Sequence, residues 1–178
     1  MFHNIAKMIQ EQAILNILHE CGIRVGNYDE NCIALLNESK GAWQNGETHK
    51  HLSPFVHTNV LLTNNQNRGI VTASATIFFP FMLKIPSGTT RTTTTEDGRV
   101  SLLDVANDNA DFISESISAV ELNLAKRFQN VGKQGRSVFD VNFSSKYFGQ
   151  ADKSMLANFF IFAYVCDYQL TCEFQSNI

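Results

Sequence analysis

The sequence predicts an α+β fold, an antiparallel-dominated β-sheet with one long helix packed on it and an N-terminal amphipathic helix before it. Residues 159–174 alternate with a period of two, which is typical of a strand, and residues 69–85 do the same. Between them, residues 104–129 repeat apolar side chains every three or four positions, which is typical of a helix that lies on a sheet. The length of 178 residues suits a single domain over 1–178.

The two long strand segments carry mirrored patterns. In 159–174 one face is apolar throughout, whereas the other is apolar in its first half and polar from Asp167 onward. In 69–85 the second face is polar up to Thr76 and apolar afterwards. Antiparallel pairing places polar half beside polar half, so we expect both strands in one sheet, adjacent or one strand apart. Pro80 has no N–H to donate, which predicts an edge, a bulge or a strand end there.

The helices have recognisable ends. Residues 2–21 form the predicted N-terminal helix, and Gly22 stands where a C-terminal cap belongs. The run Cys32–Leu36 fits either a short helix capped by Asp29 or a strand, because it is too short for its period to decide. Ser101–Asp104 has the spacing of a capping box for the long helix, with a start a turn or more later as the alternative.

Shorter elements complete the predicted fold. A Thr-rich segment, 86–100, is polar but favours extended backbone, so it is either a surface loop or an arm that reaches a neighbouring subunit. The other elements are a hairpin over 41–50 around Asn45-Gly46, a strand over 55–62, a polar loop over 63–69, a strand over 137–143 with Phe139, Val141 and Phe143 inward, and an irregular connection over 144–155.

Composition argues against two classes of partner. The net charge is −3 and the 14 Lys and Arg residues are scattered singly, so we expect no direct nucleic-acid recognition. The longest apolar run, Phe159–Cys166, is too short to span a bilayer, and the N-terminus lacks the pattern of a signal peptide. We therefore expect no membrane insertion and no secretion by a signal peptide.

Motifs for chemistry are missing from the sequence. The four cysteines form no C-x-x-C pair, which argues against a zinc ribbon or a thioredoxin-like site and favours a reduced, intracellular environment. There is no G-x-S-x-G, no P-loop and no G-x-G-x-x-G motif. We therefore predict no catalytic residue, no cofactor and no metal, and a protein that is not an enzyme.

A histidine cluster is the main candidate for metal binding. His49, His51 and His57 would share one face of a continuous strand, with Glu47 beside them, and His-x-His on a strand can bind a transition metal. However, Pro54 interrupts the strand, and no fourth ligand has a suitable spacing. A solvated histidine cluster is the more ordinary interpretation.

Three carboxylates lie along one side of the long helix. Asp108, Asp111 and Glu115 follow one another at three- and four-residue steps. Such a row could hold a cation, but a solvated acidic face is the ordinary explanation.

The apolar halves of the long strands predict an interface. On the sheet face opposite the long helix they form a patch that either the N-terminal helix or another subunit must cover, because soluble monomers rarely leave such a surface bare. Both interpretations hold if the helix covers only part of it. The predicted interface residues are Phe78, Met82, Phe159, Ile161 and Val165 in the patch, and Thr92 and Thr94 in the Thr-rich segment.

The order of elements resembles that of the small tail-terminator and neck-type (head–tail joining) proteins of tailed bacteriophages. Those proteins have an N-terminal helix, a mixed or antiparallel sheet, a long loop, a long helix and a last strand, here residues 2–21, 55–85, 86–100, 104–129 and 159–174. Tyr147-Phe148-Gly149 and then Asn158-Phe159 resemble an aromatic-Gly and Asn spacing in some of them. The resemblance implies a ring that joins the tail tube to the head or connector, without chemistry.

We therefore predict a structural assembly subunit of this type, a homo-oligomeric ring that contacts other structural proteins in the virion or in the host cytoplasm. Two alternatives stay open. One is a small intracellular α/β enzyme or regulatory domain that uses the acidic helix face or the histidine cluster. The other is a ligand-binding module with a pocket between the long helix and the aromatic strand.

Overall fold

The structure, a computed structural model, describes residues 2–41, 47–56, 61–65, 70–84, 107–131, 136–143 and 159–173. These residues form an α+β fold with an antiparallel sheet, which confirms the predicted fold class. The helices are α1 (Phe2–Glu20), α2 (Tyr28–Gly41) and α3 (Ala110–Val131). The strands are β1 (His49–His51), β2 (Phe55–Val56), β3 (Leu61–Asn65), β4 (Ile70–Lys84), β5 (Arg136–Phe143) and β6 (Phe159–Glu173).

The sheet is organised around two long central strands. Its order is β1-β4-β6-β5, and β2 and β3 also pair with β4, on the side where β1 lies. All these pairings are antiparallel. Within the described residues, β5 is therefore one edge of the sheet, and β1, β2 and β3 together form the other edge.

The pairing of β4 with β6 confirms the expected relation between the two long strands. It runs from Ile70 opposite Glu173 to Lys84 opposite Phe159 with no change of register. In the polar half, Thr76 lies opposite Asp167, and its hydroxyl donates a hydrogen bond of 2.6 Å to the carboxylate. The mirrored patterns therefore meet as the sequence predicts, polar half beside polar half.

One face of the sheet carries α1 and α3, and we call it the α1/α3 face. Tyr168 on this face links the sheet to α3, because its hydroxyl donates a 2.7 Å hydrogen bond to the Glu121 carboxylate. The buried side chains of this core come from both helices and from alternate strand positions. They include Ile14, Ile17 and Leu18 of α1, Ile113, Val120, Leu124 and Phe128 of α3, and Ile77, Phe79, Phe81, Cys166, Tyr168 and Leu170 of the sheet.

The opposite face is covered by α2, with Leu52 and Phe55 in the same core, and we call it the α2 face. Cys32–Leu36, for which the sequence allowed either a helix or a strand, lies within helix α2, Tyr28–Gly41. Its cap is Asn27 rather than the expected Asp29, since the Asn27 side-chain oxygen accepts a 2.8 Å hydrogen bond from the Glu30 amide. The core here comprises Leu35, Leu52, Phe55, Phe78, Met82, Ile161 and Ala163, with Tyr28, Cys32, Leu36 and Val165 partly buried against it.

This arrangement corrects two expectations about the apolar patch. The N-terminal helix does not cover it, because Ile14, Ile17 and Leu18 of α1 pack on the α1/α3 face. Phe78 and Met82 are 2% and 0% exposed beneath α2, and Ile161 is 6% exposed, so these three residues belong to the chain's own core. They therefore do not form an exposed patch for a second subunit. The Phe159 side chain, Thr92 and Thr94 lie outside what the structure describes.

Gly22 ends α1 as the sequence predicts. Its φ of 77° lies in the left-handed region, which glycine adopts without steric cost. The Ile23 amide donates to the Leu18 carbonyl and the Gly22 amide to the His19 carbonyl, the two bonds of a Schellman motif. The turn directs the chain into the extended segment beside β2.

Pro80 lies inside the central strand β4 rather than at an end or an edge. The Leu52 amide donates a 3.0 Å hydrogen bond to the Pro80 carbonyl, so the Pro80 nitrogen also points towards the β1–β2 side and away from β6. At that level Ser53 and Pro54 stand opposite Phe79 alone, because Leu52 faces Pro80 and Phe55 pairs with Phe78. The proline thus adjoins a β-bulge in the neighbouring strand, where its missing N–H costs least.

Other boundaries differ from the prediction or fall outside the described residues. Thr63–Asn65, expected in a loop, belongs to β3. The α-helix expected over 104–129 is described from Ala110 to Val131 as α3. The predicted features outside the described residues are the Asn45-Gly46 turn, the Thr-rich segment 86–100, the Ser101–Asp104 capping box and the connection 144–155.

The α2 face provides a first test. Phe78→Ala removes a buried ring stacked on Phe55 at a centroid distance of 4.9 Å, so we expect the free energy of unfolding to fall by about 3–5 kcal/mol. Urea denaturation measures this loss. Ser74→Ala, in the polar half of the same strand face and only half-buried, is the matched control and should cost about 1 kcal/mol or less. Equal losses would show that α2 does not bury Phe78.

A candidate binding groove beside strand β1

A cavity of about 490 Å³ lies beside β1, the strand that contains two of the three clustered histidines. It is lined by Glu47, Thr48, His49, Lys50 and His51, with Phe112 of α3 as the remaining wall. Successive residues of a strand project to opposite faces, so a cavity that touches five consecutive residues lies along the edge of the strand. We call it the β1 groove.

Backbone hydrogen bonds show which groups face the β1 groove. The Lys84 amide donates 2.9 Å to the Thr48 carbonyl, and the Leu52 amide donates 3.0 Å to the Pro80 carbonyl. The even-numbered residues of β1 therefore direct their backbone groups to β4. By the alternation of an antiparallel ladder, His49 and His51 direct their N–H and C=O groups outward, along the groove.

Aromatic rings form the side of the groove that belongs to the α1/α3 face. The ring centroids of His49 and Phe112 are 4.0 Å apart, and those of His51 and Phe81 are 5.2 Å apart. Phe81 and Phe112 meet edge to face at 5.9 Å, which joins the two pairs. The Thr48 hydroxyl lies 3.0 Å from His49 Nδ1. These contacts orient the His49 ring against α3.

Two polar atoms of the groove residues are buried without a hydrogen-bond partner in the part of the chain that the structure describes. They are Glu47 Oε2 and His51 Nε2. A buried polar atom without a partner costs about 1–3 kcal/mol, so such atoms point to a water or ligand site. Burial lowers the pKa of His51, while the negative charge of Glu38 acts in the opposite direction. The ring is consequently neutral over a wider pH range in the folded protein.

The residues described by the structure give no support to a metal site. No group of three His, Cys, Asp or Glu side chains among them could hold a metal ion. The third histidine of the cluster, His57, lies outside the described residues. Asp108, just before α3, and Asp111 and Glu115 of α3 are exposed, as a solvated acidic face would be.

Two of the cysteines, Cys21 and Cys166, are poor nucleophiles. Cys21, Cys32 and Cys166 are free thiols. Burial raises the pKa of Cys21, and it raises the pKa of Cys166 to about 11. Since the thiolate is the reactive form, these two groups are protonated and unreactive near neutral pH.

Sequence reasoning found only part of the groove. It singled out Glu47, His49 and His51 because of their spacing, but it weighed them as metal ligands or as a solvated cluster and not as the wall of a groove. Phe112 was missed because it lies beside the main apolar stripe of α3, next to the buried Ile113. The outward backbone groups were missed because they depend on which strand pairs with β1, which the spacing of side chains does not reveal.

Comparisons with known proteins identify no relative. No protein-family model matches the sequence, and no curated protein and no solved structure match it either. Among the described helices, none has both the length and the apolar character needed to cross a bilayer.

The partly buried His51 predicts a pH dependence of stability. Its pKa is lower in the folded than in the unfolded protein, so the unfolded state binds the proton more strongly. The stability contributed by the neutral ring is present above the unfolded pKa of about 6.5 and is lost as the pH falls through the lower folded pKa. We expect His51→Gln to flatten the loss of unfolding free energy between about pH 7 and pH 5, measured by urea denaturation.

A control variant at a second histidine tests whether the effect is specific to His51. His19→Gln alters an exposed position of α1, away from the groove, and should leave the pH profile of the wild type in place. An unchanged profile in His51→Gln would contradict the assignment.

Proposed function

We propose that the chain is a structural assembly subunit, a virion ring protein of the tail-terminator or neck type, whose copies join through the edges of their sheets. The observation that carries the proposal is the position of β5. It is an eight-residue strand at the edge of the described sheet, and an edge strand is a template for pairing with another chain.

Strand directions favour a head-to-tail junction. The pairs β5–β6, β6–β4 and β4–β3 are all antiparallel, so β5 and β3 run in opposite directions. If β5 of one copy lies beside β3 of the next, their pairing is again antiparallel and continues the alternation of the sheet. Such a heterologous contact uses a different surface on each partner and closes into a ring when the rotation permits.

The backbone of β5 is suitably oriented for this junction. In β4 the even-numbered residues direct their backbone groups to β1, so the odd-numbered residues direct theirs to β6. Following the same alternation through β6, the even-numbered residues of β5 bond to β6. Ser137, Phe139, Val141 and Phe143 therefore direct their N–H and C=O groups away from the sheet, where a neighbouring strand would meet them.

Apolar residues on the helices support assembly as well. Ile33 of α2 is 59% exposed and Leu122 of α3 is 56% exposed, although both helices bury their opposite sides in the core. These two positions are candidates for further contacts between subunits. In the same proposal, Thr92 and Thr94 of the Thr-rich segment and Phe159 contact neighbouring subunits, and other structural proteins of the virion bind the assembled ring.

Ser137→Pro tests the proposed junction. Proline removes the outward N–H of residue 137 without removing a hydrogen bond to β6, so it should block edge pairing and leave the fold in place. We expect the wild type to form a closed oligomer at micromolar concentration and Ser137→Pro to shift at least tenfold towards monomer. Light scattering and native mass spectrometry measure the shift.

Two controls make the result interpretable. Ser137→Ala keeps the N–H and should assemble like the wild type, and circular dichroism shows whether Ser137→Pro remains folded. A wild-type protein that stays monomeric at all accessible concentrations would refute the ring. An unaffected ring in a folded Ser137→Pro would refute the β5 junction.

A further inference from the structure

We propose that the β1 groove binds an extended peptide segment of a partner protein, which adds to β1 as a further antiparallel strand. The segment has apolar side chains where it faces Phe112 and one acidic side chain opposite Lys50. This site is separate from the β5 junction of the proposed ring and does not depend on it.

The backbone geometry of β1 favours a strand over other ligands. His49 and His51 direct two N–H and two C=O groups into the cavity, about 7 Å apart along the strand. An extended peptide presents N–H and C=O groups at the same repeat, so it can pair with all four. No strand of the described residues lies beyond β1.

The outer edge of the neighbouring strand β2 is already paired with backbone, in the parallel direction. Arg24 lies along its outer edge, where the Arg24 amide donates 2.8 Å to the Pro54 carbonyl and the Val56 amide donates 3.0 Å to the Arg24 carbonyl. The Arg24 guanidinium is held by Glu38 at 2.7 Å, and Glu38 also accepts from Ser53. The chain therefore pairs the edge of β2 with its own backbone but does not extend this pairing to β1 within the described residues.

The groove walls specify the side chains of the segment. Residues opposite His49 and His51 would project to the α1/α3 face, against the ring of Phe112, where apolar or aromatic side chains fit. The residue opposite Lys50 would project to the other face, where a carboxylate pairs with the ammonium group. Glu47 Oε2 and His51 Nε2, buried without partners in the described residues, lie beside this path and could bond to the segment.

A blocked peptide tests the proposal directly. The probe is acetyl-Thr-Phe-Asp-Phe-Thr-amide, together with a library that varies apolar residues at the phenylalanine positions and acidic residues at the centre. In ¹⁵N-resolved NMR, binding should shift the amide signals of His49 and His51 and slow their hydrogen exchange. The Lys50 amide, which points towards Met82, should change much less.

Two changes identify the backbone contribution. Methylating the amide nitrogens of both phenylalanines removes the donors that would face β1 and should weaken binding at least tenfold. His49→Pro removes the outward N–H of the protein and should have a similar effect, whereas His49→Ala, which keeps that N–H, should lose less.

Every outcome is decisive. Failure of the whole library to bind overturns the proposal, as does binding that is insensitive to N-methylation. A response to small aromatic acids such as indole-3-carboxylate, without peptide binding, would reassign the groove to small molecules. Self-association that His49→Pro abolishes would reassign it to a second copy. Ser137→Pro separates the two proposals, because a monomeric Ser137→Pro protein should still bind the peptide.

Discussion

The antiparallel pairing of β4 with β6 is the constraint on which the rest of the structure depends. Fifteen residues of each strand face one another in a single register, so the face of every side chain in the centre of the sheet is determined at once. If one strand slipped by one residue, Phe78 and Met82 would turn to the α1/α3 face, and Ile77 and Phe79 would turn to the α2 face. The mirrored polar halves make such slips costly, because Thr76 and Asp167 would lose their hydrogen bond.

Because both strands are apolar on two faces at one end, the sheet needs cover on both sides. The α1/α3 face receives two helices, while a single helix covers the α2 face together with Leu52 and Phe55. This second cover reaches only the apolar half, which ends near Phe78 and Val165. Beyond it Ser74, Thr76 and Asp167 are half-buried or exposed, as their polarity requires. The extent of this cover thus corresponds to the extent of the apolar half.

The sequence predicted the long strands well because period and polarity are both local signals there. It could not assign the cover of the α2 face, since α1 and α2 each have an apolar side and the choice depends on which loop brings which helix to the sheet. Cys32–Leu36 was ambiguous for a related reason, because Asn27, which caps α2, lies well before that run. For the groove, residue types indicated Glu47, His49 and His51, whereas strand pairing determined that an edge lies there.

The bulge at Ser53 and Pro54 explains why the two halves of this edge differ. One extra residue between β1 and β2 shifts the alternation, and with it the set of residues whose backbone groups point outward: odd-numbered in β1, even-numbered in β2. The backbone of Arg24 bonds to the outward groups of the even-numbered Pro54 and Val56, and Glu38 holds the Arg24 side chain in place. The bridge between Arg24 and Phe55 is parallel, so the chain that lies towards β1 is the one before Arg24. There it forms the Gly22 turn and the end of α1 rather than a strand, which limits how far the chain can pair with its own edge.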